Sequence, residues 1–234
     1  MNFLSITQRL WLEAGASGVS PGPSTTVNQT GEFARLVTWV NSAWNEIQSH
    51  HPDWGWLRNS ASFATVDSQG AYELGTGAGT VGVAVANFGM WVPGTTRNYI
   101  TATGLPSEVF MGDDISYDEW RDQYFYGALR TSPTRPMVAA VSPTKALCLG
   151  PVALAGYTIT RDYFAAPTAM VADADVPALP AQFHEVIMWR ALMLYGGFEG
   201  AADAYDRGKE NHDKLMARLE ADRLPGVQTA GPLA

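Results

Sequence analysis

The chain has 234 residues, a formal net charge of −8 and a hydrophobic share of 46%. The negative charge argues against general nucleic-acid binding, which needs a dense basic surface to release counterions. No uninterrupted apolar run reaches the ~18 residues of a membrane span, so no membrane partner is expected.

The N-terminal quarter predicts two helices. Phe3, Ile6 and Leu10 recur at helical spacing within a short helix over residues 2–14. The second helix, over residues 31–49, is predicted by an apolar stripe formed by Phe33, Leu36, Val37, Val40, Trp44 and Ile47. This helix is expected to end at His50-His51-Pro52, because proline cannot continue a helix and restricts the residue before it.

The middle of the chain predicts short strands. Residues 57–65 alternate with a period of two, and a turn at Gln69-Gly70 predicts a hairpin with residues 71–74. The segment Ser116-Tyr117-Asp118-Glu119 is a capping box, which predicts a short helix through about Tyr126. Three further strands are predicted at residues 136–140, 146–149 and 157–164.

Two more helices are predicted after a proline-containing connector at residues 167–180. The first, Gln182 to Tyr195, is apolar on more than one side and is expected to break at Gly196-Gly197. The second, Ala201 to Arg223, is more polar.

This order of elements predicts an α+β fold in which one module is inserted into another. Residues 1–56 with 178–223 are expected to form a four-helix-type lobe. Residues 57–177 are expected to form an inserted antiparallel β-rich module with a short helix near 116–126. Residues 224–234 contain prolines and glycines and are predicted to be a flexible C-terminal tail.

No catalytic, metal or cofactor site is predicted, and we expect the protein not to be an enzyme. The single cysteine, Cys148, lies in an apolar run and is expected to be a small buried side chain. The adjacent His50 and His51 are expected to point in different directions, and neither His184 nor His212 completes a zinc-binding spacing. Acidic residues of the kind used by calcium sites and glycosidase carboxylate pairs occur in three clusters, but their spacing matches no calcium loop: Asp113, Asp114, Asp118, Glu119, Asp173 and Asp175.

Aromatic residues concentrate in two short segments, which contain Trp54, Trp56, Tyr117, Trp120, Tyr124, Phe125 and Tyr126. Such residues most often form a core or a protein interface, and less often a platform on which sugars or bases stack. One alternative function is therefore a β-rich carbohydrate-binding module. A hydrolase that uses Asp113, Asp118 or Glu119 is a further alternative.

Several phrases of the sequence, in their order and spacing, resemble the head-to-tail adaptor, or head-completion, proteins of tailed bacteriophages. They lie at residues 31–48, Asp53-Trp54, Leu57-Arg58, Tyr117-Asp118-Glu119-Trp120-Arg121, Arg135-Pro136, 162–168 and 179–195. The resemblance covers nearly the whole chain. It implies a structural protein of the virion neck or tail region, made in the host cytoplasm, with a helical lobe and a β-rich lobe.

The resemblance also implies partners. The protein would form a homo-oligomeric ring, most commonly a dodecamer, that docks on the portal protein and contacts a downstream tail or nozzle protein. Genomic DNA would pass through the ring without sequence-specific binding. Candidate contacts with the portal or a neighbouring subunit are Leu224, Val227, Leu233, Trp54, Trp56 and Arg58. A tail-tube or tail-terminator subunit is the alternative virion part, from which a continuous β-ring with fewer terminal helices is expected.

Overall fold

The computed structural model describes residues 1–15, 22–75, 82–85 and 87–224. The helices are α1 (Phe3–Glu13), α2 (Gly31–His50), α3 (Tyr117–Trp120), α4 (Glu185–Glu199) and α5 (Ala202–Arg223). The strands are β1 (Arg58–Ala64), β2 (Gln69–Leu74), β3 (Gly82–Val83), β4 (Phe88–Trp91), β5 (Arg97–Ile100), β6 (Val109–Phe110), β7 (Val138–Val141), β8 (Leu147–Ala153) and β9 (Tyr157–Ala165). The predicted α+β class is confirmed.

The chain divides into two compact units. The helical unit comprises residues 1–57 and 167–234, and the β unit comprises residues 58–166. In the helical unit, α4 packs against α1, α2 and α5, which explains why its apolar residues face more than one side. No helix in the described ranges is long and apolar enough to cross a membrane.

The prediction that α4 breaks at Gly196-Gly197 is wrong. The helix continues to Glu199 and ends at Gly200, whose φ of 68° is the left-handed conformation usual at a helix C-terminus. A Cβ on Gly196 would lie 2.7 Å from the backbone nitrogen of Tyr205. Gly196 therefore allows α5 to approach α4 closely, and tertiary packing outweighs its low helix propensity.

Residues 167–177, which we grouped with the β-rich module, pack with the helices. The side-chain amide of Gln48 donates to the carbonyl of Thr168 and accepts its N–H, at 3.0 Å each. Two helical turns earlier, Asn41 makes the same pair of hydrogen bonds with Met170, also at 3.0 Å each. These amides satisfy connector backbone groups on the surface of α2, so the boundary between the units falls after residue 166.

The β unit contains two sheets. One has the order β1-β9-β5-β6 with β4 also paired to β9, and the other has the order β3-β2-β8-β7. The pairings are antiparallel except for that of β2 with β3. Side chains from both sheets form one buried cluster, which includes Ala61, Trp91, Ile159, Tyr72, Leu147 and Leu149.

The predicted hairpin of residues 57–65 with 71–74 is wrong. β1 pairs with β9 and β2 pairs with β8, so the two segments belong to different sheets. The turn between them crosses from one sheet to the other. The N–H of Thr65 donates to the carbonyl of Tyr157, and the N–H of Ser68 donates to the carbonyl of Ala153. Alternation identifies both segments as strands, but it carries no information about which strand each one pairs with.

The N-cap at Ser116 and the three later strands are confirmed. Ser116 Oγ accepts the N–H of Glu119 at 3.2 Å at the start of α3. A wider helical turn at Arg121–Phe125 then continues the short helix. The strands predicted over residues 136–164 correspond to β7, β8 and β9, and β8 extends to Ala153.

Candidate functional site

Trp54 and Trp56 follow α2 and differ in exposure. Trp54 is fully buried, and its Nε1 donates to the carbonyl of Ile47 at 2.8 Å. The half-buried indole of Trp56 stacks on it, with ring centroids 4.2 Å apart. Trp54 is thus a core residue of the helical unit, and only Trp56 presents an accessible face to a partner.

The other candidate contacts lie at separate places. Arg58 is exposed at the start of β1, and its guanidinium donates two hydrogen bonds to the Asp162 carboxylate, at 2.9 and 2.6 Å. Leu224 follows α5 and is half-buried. Val227, Leu233 and the rest of the predicted tail beyond Leu224 lie outside the described residues.

The helical unit carries an exposed aromatic surface that the sequence pattern did not predict. We name it the Phe198 surface; it consists of Arg35, Trp39, Phe198 and Glu199. Phe198 is 59% exposed, with the Arg35 guanidinium carbon 5.4 Å and the Trp39 ring centroid 6.0 Å from its ring centroid. Arg35 also contacts Glu199 at 3.2 Å. Trp39 lies four residues after Arg35 and outside the apolar stripe of α2. A tryptophan at this position was the sequence feature that could have indicated an exposed aromatic surface.

A second exposed surface lies on the β unit. The Phe125 surface consists of Phe125, Tyr126, Leu129 and Arg130, whose three apolar side chains are 40%, 55% and 47% exposed. The Arg130 guanidinium carbon lies 5.3 Å from the Phe125 ring centroid. Trp120 of the same aromatic segment is instead buried and donates from Nε1 to the carbonyl of Leu149. The segment therefore divides between core and surface and does not form one open stacking platform.

Four of the six clustered acidic residues make structural contacts. Asp114 pairs with the buried Arg161, and Asp118 lies 3.4 Å from Arg121. Hydrogen bonds from the hydroxyl and N–H of Thr26 lower the pKa of the Asp173 carboxyl. Hydrogen bonds from two backbone N–H groups likewise lower the pKa of Asp175. The hydrogen bonds of Asp173 and Asp175 favour the ionised form of those two carboxylates. All four residues therefore make capping or pairing contacts rather than contacts that suit acid catalysis.

The prediction that Cys148 is a buried side chain is confirmed, and it has a chemical consequence. Burial raises the pKa of the thiol to about 12. Because the thiolate is the nucleophile, we expect no labelling of the folded protein by a thiol-specific disulfide reagent at mildly alkaline pH. One thiol per chain should react after unfolding in guanidinium. Rapid labelling of the folded chain would contradict this expectation.

Two of the four histidines lie together, contrary to expectation. The Nε2 atoms of His50 and His51 lie 3.4 and 3.2 Å from the same carboxylate oxygen of Glu220. His184 is separate and buried; burial is the main cause that lowers its pKa, and its Nε2 donates to the carbonyl of Leu179. Of the histidines, therefore, only His50 and His51 share a carboxylate in a geometry that suits a metal ion.

Comparison with known proteins identifies the family. A family model described as SU10 adaptor protein matches residues 1–231. Among curated proteins, none matches the chain. The family match spans segments of both units and agrees with the resemblance noted in the sequence. Because it covers nearly every residue, the chain belongs to the SU10 adaptor protein family, a family of phage head-to-tail adaptors.

Proposed function

We propose that this chain is a ring-forming subunit that docks on the portal and joins the capsid vertex to the tail. Its family membership makes it a structural component of the phage particle. The observation that carries the finer proposal is the presence of two exposed aromatic surfaces, the Phe198 surface on the helical unit and the Phe125 surface on the β unit. Aromatic residues beside arginine are typical of binding hot spots.

A ring requires two different surfaces on every subunit, because its neighbours meet head to tail. The Phe198 surface places carboxylates beside its arginine, with Glu32 and Glu199 both 3.2 Å from Arg35. The Phe125 surface instead combines its arginine with Tyr126 and Leu129. This chemical difference supports their use as non-identical contacts, with a neighbouring subunit or with the portal.

The charge distribution supports passage of DNA without tight binding. Five arginines that are exposed or half-buried pair with carboxylates: Arg9 with Glu13, Arg35 with Glu199, Arg58 with Asp162, Arg97 with Glu108, and Arg190 with Glu46. These pairs reduce the positive charge available to phosphates in a chain whose net charge is −8. A channel lined by such subunits would release few counterions from DNA and would not retain it.

Electron microscopy of the protein mixed with portal rings from the same phage tests the proposal. We expect portal rings to gain an additional tier with matching rotational symmetry. Replacing Phe198 or Phe125 by serine should weaken assembly at least about tenfold, the scale expected when an aromatic hot spot is lost. Leu12→Ser is the matched control, because Leu12 is 65% exposed and lies outside both surfaces.

Portal rings that stay bare with the unaltered protein at micromolar concentration would contradict portal docking. If both phenylalanine variants assembled as strongly as the Leu12→Ser control, the two surfaces would be excluded as contacts. A chain lacking residues 225–234 tests the tail in the same assay, since we propose that its apolar residues Val227 and Leu233 also bind the portal. Unchanged binding by that chain would exclude the tail.

A further inference from the structure

Two histidines and one glutamate converge where the C-terminal ends of α2 and α5 meet in the helical unit. His50 is the last residue of α2, His51 follows it, and Glu220 lies in the last turn of α5. One potential ligand atom from each side chain lies within 4.8 Å of the other two. This group is not used by the adaptor surfaces described above.

The proline after the histidines explains why adjacent residues face one carboxylate. Successive helical residues are rotated by about 100°, so two neighbouring helical histidines would diverge. Pro52 disfavours the helical conformation for the residue before it, and His51 accordingly has φ −130° and ψ 129°. The chain leaves the helix between the two residues, and both imidazoles come to lie beside Glu220.

The orientation of His51 is supported by a rigid neighbour. Its ring meets the indole of Trp54 edge to face, with centroids 4.9 Å apart and an interplanar angle of 89°. Trp54 is itself held by burial and by its hydrogen bond to Ile47. Packing that already holds a ligand side chain in place lowers the entropic cost of binding an ion.

Two of the three distances between ligand atoms are close to the edge of a zinc coordination tetrahedron, and all three are within 4.8 Å. Zinc binds histidine nitrogen and carboxylate oxygen at about 2.0–2.2 Å, so ligand atoms in a tetrahedral site are separated by roughly 3.3–3.5 Å. The two nitrogen–oxygen distances here are 3.4 and 3.2 Å. We propose that His50, His51 and Glu220 bind one zinc ion, with water as the fourth ligand.

The surroundings favour a cation and leave room for that water. A pocket of about 410 Å³ borders the group and is lined by His50 and Glu220 together with Glu46, Arg190, His212, Asp213 and the apolar residues beside them. Arg190 is paired with Glu46 at 2.5 Å, which offsets its positive charge. The carbonyl dipoles at the ends of α2 and α5 add partial negative charge beside the ligands.

Zinc binding would tie the last turn of α2 to the last turn of α5. An ion that binds only the folded state stabilises it by an amount that grows with ion concentration. We therefore expect zinc to raise the thermal unfolding temperature of the helical unit, and magnesium, which prefers octahedral oxygen sites, not to do so.

The test uses the untagged full-length protein after treatment with a chelator. Calorimetric titration should show one equivalent of Zn²⁺, and Co²⁺ should give the intense visible absorption of a tetrahedral site with nitrogen and oxygen ligands. His51→Gln and Glu220→Gln should each weaken Zn²⁺ binding at least about tenfold. His212→Gln is the matched control, because His212 lines the same pocket outside the ligand group, and it should bind as the unaltered protein does.

The absence of saturable Zn²⁺ binding by the unaltered protein would overturn the proposal, whatever the variants do. A six-coordinate Co²⁺ spectrum would overturn it as well. So would Zn²⁺ binding by His51→Gln and Glu220→Gln that is as tight as binding by the unaltered protein. Circular dichroism of each metal-free variant checks that the fold is retained. The Co²⁺ spectrum of the unaltered chain decides the case if a variant fails to fold.

Discussion

Replacing Asp114 by asparagine is expected to destabilise the protein by about 3–5 kcal/mol, the cost of leaving one member of a buried ion pair without its partner. The side chain of Arg161 is only 1% exposed, and its two terminal nitrogens donate to the two oxygens of Asp114, at 2.9 and 2.5 Å. Asparagine keeps the size of the side chain but removes the charge that compensates the guanidinium. Urea unfolding followed by circular dichroism measures the change in the free energy of unfolding.

The control for this prediction is Asp162, which follows Arg161 in β9. Asp162 pairs with Arg58 at 2.6 Å, but those side chains are 30% and 49% exposed. Asp162→Asn should therefore cost no more than about 1 kcal/mol, as is usual for solvated pairs. Equal losses for Asp114→Asn and Asp162→Asn would show that burial of Arg161 does not govern the energetics.

Two adjacent glycines in α4 are expected to respond to alanine in opposite directions. Gly196→Ala places a Cβ 2.7 Å from the backbone nitrogen of Tyr205, and this backbone cannot move without separating α5 from α4. We expect a loss of about 1–3 kcal/mol from overpacking. Gly197 is exposed and has no atom within 4 Å of its added Cβ, so Gly197→Ala should stabilise the helix by about 0.5–1 kcal/mol.

Thermal unfolding of the two alanine variants under identical conditions provides the measurement. Gly196→Ala should lower the unfolding temperature and Gly197→Ala should raise it. Similar stabilisation by both substitutions would mean that α4 and α5 are not in the close contact described here. Similar destabilisation would mean that this stretch of α4 needs glycine for a reason other than packing.

Local patterns sufficed to predict most of the helices and strands. The apolar stripe of α2 and the proline after it placed that helix within one residue of its observed end at His50. The capping box at Ser116 placed the start of α3. Both signals act over a few neighbouring residues, because helix periodicity and capping hydrogen bonds are local properties of the chain.

The site residues were harder to predict, because exposure depends on distant parts of the chain. Trp54 and Trp56 are two residues apart, yet Trp54 is buried while Trp56 retains an exposed face. Phe198 lies in a mostly apolar helix but is exposed beside Arg35 and Trp39 of another helix. Composition identifies such aromatic residues as core or interface candidates but cannot distinguish these two roles.

Some properties of this protein were decided by sequence pattern alone, and others were decided only by tertiary structure. Charge, the α+β class, the extents of α1 and α2 and the family resemblance all follow from residue types and their spacing. The partners of β1 and β2, the continuation of α4 through Gly196 and the convergence of His50 and His51 on Glu220 do not. Each depends on contacts between residues far apart in the chain, whose free energies outweigh local preference once the elements pack.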